Sequence, residues 1–98
     1  MALYVLEYRY TDAELRARLR PRHLAYMRSL LDNGTLVLAG PWADQSGALV
    51  VFSAEDEGQA WALVEADPYT IEGATNEHRL REWTVVIAAQ PLGRSTPG

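Results

Sequence analysis

The apolar runs of this chain carry large side chains on both of their faces, and that limits its fold more than any other feature. In LYVLEYRY at 3–10, Leu3 and Val5 fall on one side of a strand, and Tyr4, Leu6 and Tyr8 on the other. In ALVVF at 48–52, Leu49 and Val51 oppose Ala48, Val50 and Phe52. A third run, REWTVVIA at 81–88, divides into Trp83, Val85 and Ile87 against Val86 and Ala88. A sheet built from such strands must be covered twice. A chain of 98 residues supplies helices for one side only, and a large apolar face left over is an association site.

Breakers place the elements between these runs. Thr11 with Glu14 three residues on reads as a capping box that opens a helical segment. Pro21 divides it, because proline lacks an N–H and clashes with the preceding turn, yet suits the first position of a helix. The expectation is a short piece over Asp12–Leu19, then a main helix from Pro21 to Asp32. Asn33-Gly34 ends it, with Gly34 taking the left-handed conformation. Thr35–Ala39 is a second strand, and the turn-rich connection at 40–47 makes a hairpin with the run at 48–52. Ser53 with Asp56 starts a second helix that buries Ala60, Trp61, Leu63 and Val64 and runs to about Ala66, where Pro68 stops it. Residues 69–79 read as an irregular stretch with one short turn, and 81–88 as the last strand. The expected organisation is one domain over 1–89 and a flexible C-terminal tail over 90–98.

The element order is β-α-β-β-α-β. That is an α+β, ferredoxin-like antiparallel sheet with two helices on one face. The second, uncovered face predicts a homodimer packed sheet to sheet, with assembly beyond the dimer left open.

Composition removes several function classes. The net charge of −4 argues against a nucleic-acid partner. There is no cysteine, so thiolate metal sites and disulfides are excluded. Two histidines far apart make no recognisable metal pattern. No apolar run approaches the roughly 18 residues of a membrane span, and Glu7 and Arg9 interrupt the N-terminal run, so the expected location is cytoplasmic. Gly-rich phosphate loops and serine nucleophile elbows are absent. Charge is unevenly placed: six arginines lie between Arg9 and Arg28 against Asp12 and Glu14. Most read as a solvated helix face, with a lesser reading that one of them faces a small anion.

At 100° per residue, Leu15, Leu19, His23, Tyr26, Met27, Leu30 and Leu31 form one stripe with His23 near its middle. The topology brings residues 20–23, 40–44 and 67–69 to one end of the domain. His23 there meets two carboxylate candidates, Asp44 and Asp67. A carboxylate beside an imidazole fixes its tautomer and stabilises its protonated form, which is a general-base arrangement. The plain structural readings are a core histidine satisfied locally, and an Asp-Pro helix stop. Tyr4, Tyr8, Trp42, Trp61 and Tyr69 are available to an aromatic pocket, with most expected in the core or an interface. His78, in an Asn-Glu-His-Arg run, is expected in solvent.

The stretches RPRHLAYMRSL at 20–30, LAGPWADQSGALVVF at 38–52 and DPYTIEGA at 67–74 resemble the YciI-like (YCII-related) family of the dimeric α/β-barrel superfamily. With the strand pattern, they cover nearly all of residues 1–89. The resemblance implies a ferredoxin-like fold, sheet-to-sheet dimers in a dimeric α/β barrel, and a His–Asp active-site pair at His23 and Asp67. Arg20, Gly40, Pro41 and Tyr69 also fall on family-like positions, and Asp44 joins them as a substrate-binding candidate by its place in the hairpin. Some members are similar to dehydrochlorinases that work without a metal or organic cofactor. The expected function is therefore a cofactor-independent lyase or isomerase acting on a small cyclic or aromatic metabolite. The alternative is a non-catalytic dimeric module that binds a small ligand or accompanies another enzyme.

Overall fold

In the computed structural model, which describes residues 1–89, the chain enters as strand β1 (Ala2–Tyr10) and turns into helix α1 (Ala13–Asp32). The cap of α1 is Asp12, whose Oδ1 accepts from the N–H groups of Glu14 (2.8 Å) and Leu15 (3.2 Å). Thr11, expected in that role, instead donates its hydroxyl to the Gly73 carbonyl at 2.7 Å. Pro21 does not divide the helix but lies inside it. Its ring is exposed, and the buried stripe of Leu19, His23, Met27 and Leu30 continues through it. Burial of that stripe offsets the roughly 3 kcal/mol an internal proline costs. At the far end, Gly34 takes φ +84°. Its N–H donates to Leu31 O, and that of Thr35 to Leu30 O, so the two bonds close the helix.

Strands β2 (Leu36–Pro41) and β3 (Gly47–Ala54) follow as a hairpin, then helices α2 (Glu57–Glu65) and α3 (Pro68–Ile71), and strand β4 (Thr75–Trp83). Ser53 stays within β3, and Asp56 caps α2 by accepting from the Gln59 N–H at 2.8 Å. Gly47 sits so close to β1 that a Cβ there would lie 2.0 Å from the Tyr8 carbonyl oxygen, which is why this position is a glycine.

The sheet is antiparallel throughout, in the order β2-β3-β1-β4. Its core lies between one face and the helices. Leu6 and Tyr8 of β1 and Ala48, Val50 and Phe52 of β3 pack with Met27 and Leu30 of α1 and Val64 of α2. This is the ferredoxin-like arrangement with helices α1 and α2 on one face. On the other face, Leu3, Val5 and Leu49 are half-buried and Val51 is fully buried.

The last strand is displaced from its expected place. It runs over 75–83 rather than 81–88, and Val86 and Ile87 are exposed beyond it. The physical reason is position in the sheet. β4 pairs only with β1, and an edge strand tolerates the charges of TNEHRLREW that a central strand would not. The second face is consequently less apolar than the expected register gave. Opposite Val5 and Glu7 stand Arg81 and Arg79, with Trp83 opposite Leu3. A register shift between Glu7 and Arg9 accompanies Glu77 at φ +51°. The expected tail at 90–98 lies outside the described residues.

Candidate active site

Helix α1 aims His23 at the sheet, and the junction of α2 and α3 meets it. Ala66 closes α2, and Asp67 is the next residue, where its side chain caps α3. Asp67 Oδ1 accepts from the Tyr69 N–H at 2.9 Å. The same carboxylate accepts from His23 Nδ1 through both oxygens, at 2.8 and 3.0 Å. His23 is 9% and Asp67 6% exposed, so the pair is held away from bulk water. The Tyr69 ring lies flat on the imidazole, with centroids 3.8 Å apart and planes 5° from parallel. Two constraints therefore fix the ring, a carboxylate at its edge and an aromatic face beneath it.

That geometry assigns the tautomer. A carboxylate accepts, so Nδ1 carries the proton and Nε2 of the neutral ring bears the lone pair. No buried side-chain nitrogen or oxygen lacks a partner among the described residues, yet Nε2 makes no bond to the protein. Nε2 is thus open rather than sealed, and His23 lines a cleft of about 790 Å³ between α1 and the β2–β3 side of the sheet. Organic ligands occupy clefts of roughly 300–1,000 Å³.

Arg20, Gly40, Pro41 and Tyr69 line the same cleft. Asp44 does not. It is exposed in the hairpin and accepts from the Ser46 N–H at 2.9 Å, and those bonds to Ser46 hold its carboxyl below the usual range. Asp67 is therefore the carboxylate that meets His23. His23 also stands mid-helix, not in the first turn, so the helix dipole acts little on it. Of the aromatic candidates, Tyr8 and Tyr69 reach the cleft. Tyr4 belongs to the core, Trp61 packs against it, and Trp42 is exposed.

Tyr10 and Arg16 also line the cleft and were not singled out by the sequence. The signal that reveals Arg16 is its spacing of four from Arg20 and seven from His23, one stripe of a helix. The Arg16 guanidinium lies over the Tyr10 ring, 3.8 Å from its centroid. Burial pushes the Tyr8 phenol well up from its ordinary value, and the charges of Tyr10 and Asp67 add to that. Burial first, then Asp67, pushes Tyr26 up to about 12, and its hydroxyl donates to Leu63 O at 2.6 Å. His78 is half-buried rather than solvated. Its Nε2 meets Thr75 Oγ1 at 2.9 Å, its ring lies 5.8 Å from that of Tyr8, and burial lowers its basicity. Among the described residues no three His, Asp or Glu side chains gather into a metal-binding group, and no helix is long and apolar enough to cross a membrane.

The fold defines the class: this is an α+β chain with a four-stranded antiparallel sheet in the ferredoxin-like order. It resembles the 5-chloro-2-hydroxyhydroquinone dehydrochlorinase of Burkholderia phenoliruptrix, solved with 2,5-dihydroxybenzoquinone, at TM-score 0.71 and 22% identity, covering 84% of this chain and 93% of that one. A candidate antibiotic biosynthesis monooxygenase from Deinococcus radiodurans aligns at TM-score 0.56 and 15% identity, over 91% of this chain and 97% of that one. At these identities the two structures bear on the fold alone. The family follows from sequence: residues 1–84 match the YCII-related domain, and the chain belongs to that family. Protein YciI of Escherichia coli and that of Shigella flexneri are each 38% identical to it over 72 residues, covering 61% of this chain and 71% of theirs.

Proposed function

We propose that this chain is a cofactor-independent lyase or isomerase in which His23 is the general base and Asp67 its partner, acting on a small cyclic or aromatic metabolite. One observation carries the reading: a neutral imidazole whose Nδ1 is held by a buried carboxylate and whose unbonded Nε2 lies on a ligand-sized cleft. Nε2 takes a proton from a substrate carbon. The electron pair left behind forms a carbon–carbon double bond as a leaving group such as chloride departs, or an enolate that is reprotonated at another carbon. The imidazolium formed in either case is paired with Asp67, which needs no reorganisation at that moment. Arg20 holds an anionic oxygen of the substrate. Gly40, Pro41 and Tyr69 wall the site. The dehydrochlorinase, solved with a dihydroxybenzoquinone, supports a ring of that size and polarity as the substrate type.

The same reading places a second copy of this chain against the free sheet face, in a cytoplasmic homodimer. The half-buried apolar part of that face, Leu3, Val5 and Leu49, supports it.

The test is proton exchange from substrate carbon into D₂O, followed by NMR, over a panel of hydroxylated and chlorinated hydroquinones and cyclic ketones that includes 5-chloro-2-hydroxyhydroquinone. The wild type accelerates exchange of at least one member, and His23→Gln lowers that rate by about 10²–10⁴ while leaving circular dichroism unchanged. Exchange at the solvent rate throughout leaves the chain a non-catalytic ligand-binding module, and near wild-type exchange by His23→Gln removes His23 as the base.

A further inference from the structure

We infer that the cleft is built for a carboxylate-bearing ligand, anchored by Arg16 and Arg20 together on the stripe of α1 that leads to His23. This deepens the proposed function, and rests on it for calling that ligand a substrate.

Three arginines line the cleft, Arg16, Arg20 and Arg28, and among the described residues no Asp or Glu does. Asp67 stands behind the imidazole, not on the wall. The ion pairs of the described residues are Arg9 with Glu77 and His23 with Asp67, so neither Arg16 nor Arg20 is paired. Two arginines one helical turn apart on a concave wall, neither with a carboxylate partner among the described residues, gain from a shared counter-ion.

Arg16 is also held in place. Its guanidinium lies over Tyr10, the Tyr10 ring meets Tyr69 edge-on with centroids 6.4 Å apart, and Tyr69 is stacked on His23. The stack ties the arginine to the base through two aromatic rings. Arg16, Arg20 and His23 recur at spacings of four and three on α1, which sets them on one stripe spanning roughly 10 Å of helix axis. A flat molecule reaching from the guanidiniums to Nε2 is therefore about the size of a substituted benzoate. Burial raises both the Tyr10 and Tyr69 phenols, and the charges of Arg16 and Arg20 offset part of that rise at each ring.

Carboxylate is favoured over phosphate by the remainder of the wall. Leu24, Met27, Leu36 and Val50 are apolar, and no glycine-rich loop presents the backbone N–H groups that cradle a phosphate. Planar guanidinium matches a planar carboxylate on an apolar ring.

Calorimetric titration with benzoate, benzamide and inorganic phosphate tests this on the full-length protein. Benzoate binds the wild type at least about tenfold tighter than isosteric benzamide, as a charge-assisted pair demands. Arg16→Gln and Arg20→Gln each weaken benzoate by about tenfold without changing the melting temperature, and Arg16→Lys restores part of the loss. Rising salt weakens benzoate and not benzamide. His23→Gln retains benzoate binding, so the anion site and the base fail separately. Equal affinity for benzoate and benzamide, no saturable benzoate binding at millimolar concentration, tighter binding of phosphate than of benzoate, or an Arg16→Gln variant that binds as the wild type does would each overturn the inference.

Discussion

The two histidines of this domain are each set against a tyrosine, one buried and one half-buried, and they receive different partners. Each packs against a tyrosine: His23 on Tyr69 and His78 beside Tyr8. Each has one ring nitrogen bonded to the protein. His23 is bonded to a carboxylate, which compensates a proton taken up by the ring. His78 is bonded to the Thr75 hydroxyl, which offers no charge, and burial disfavours its protonated form. An aromatic neighbour thus positions an imidazole, and the group at its edge decides whether the ring suits proton transfer.

The sharpest way to break that contrast is to remove each ring in turn. His23→Gln loses about 10²–10⁴ in substrate proton exchange, whereas His78→Gln stays near the wild-type rate. A comparable loss in both variants would mean that His78 takes part in the chemistry. The next effect in size comes from Asp67→Asn, which keeps a side chain able to cap α3 but removes the anion. Exchange falls by at least about tenfold, within the roughly 10²–10⁴ that general-base help supplies in all, while circular dichroism and benzoate affinity hold.

A smaller effect separates the histidines by pH. With its value lowered in the fold, neutral His78 contributes stability that is complete above pH about 6.5 and is lost as pH falls through the lowered value. Urea midpoints of the wild type therefore drop on acidification below pH about 6.5, and His78→Gln makes that drop shallower. A slope unchanged by the substitution assigns the acid sensitivity elsewhere. Least of all is Asp44→Ala, for which exchange equals the wild-type rate. A clear loss there would restore Asp44 to the site.

These contrasts also show what the sequence could convey. His23 was legible because helical spacing alone put it on an inward stripe, and Asp67 because topology returned its loop to that helix. The choice between Asp67 and Asp44 was not legible. Both are turn-forming residues in converging segments that accept from the N–H two residues on, and only the folded arrangement, which brings Asp67 to His23, separates them. Continuity through Pro21 was hidden because local chemistry argues for a break and only tertiary burial of Leu19, His23 and Met27 argues against it. β4 was misplaced because TNEHRLREW has little strand character, while the exposed TVVIA beyond it has a great deal. Pairing with β1 outweighed propensity. Arg16 went unnoticed because an arginine on a charged helix reads as solvated until its stack on Tyr10 is seen.

Asp67 ends one helix, begins another and grips the imidazole with a single carboxylate. Helix capping and the setting of the imidazole are therefore joined at one carboxylate. Lengthening or shortening the chain between Val64 and Tyr69 by a single residue would part that carboxylate from the ring, so the proposed function leaves this corner little freedom to vary.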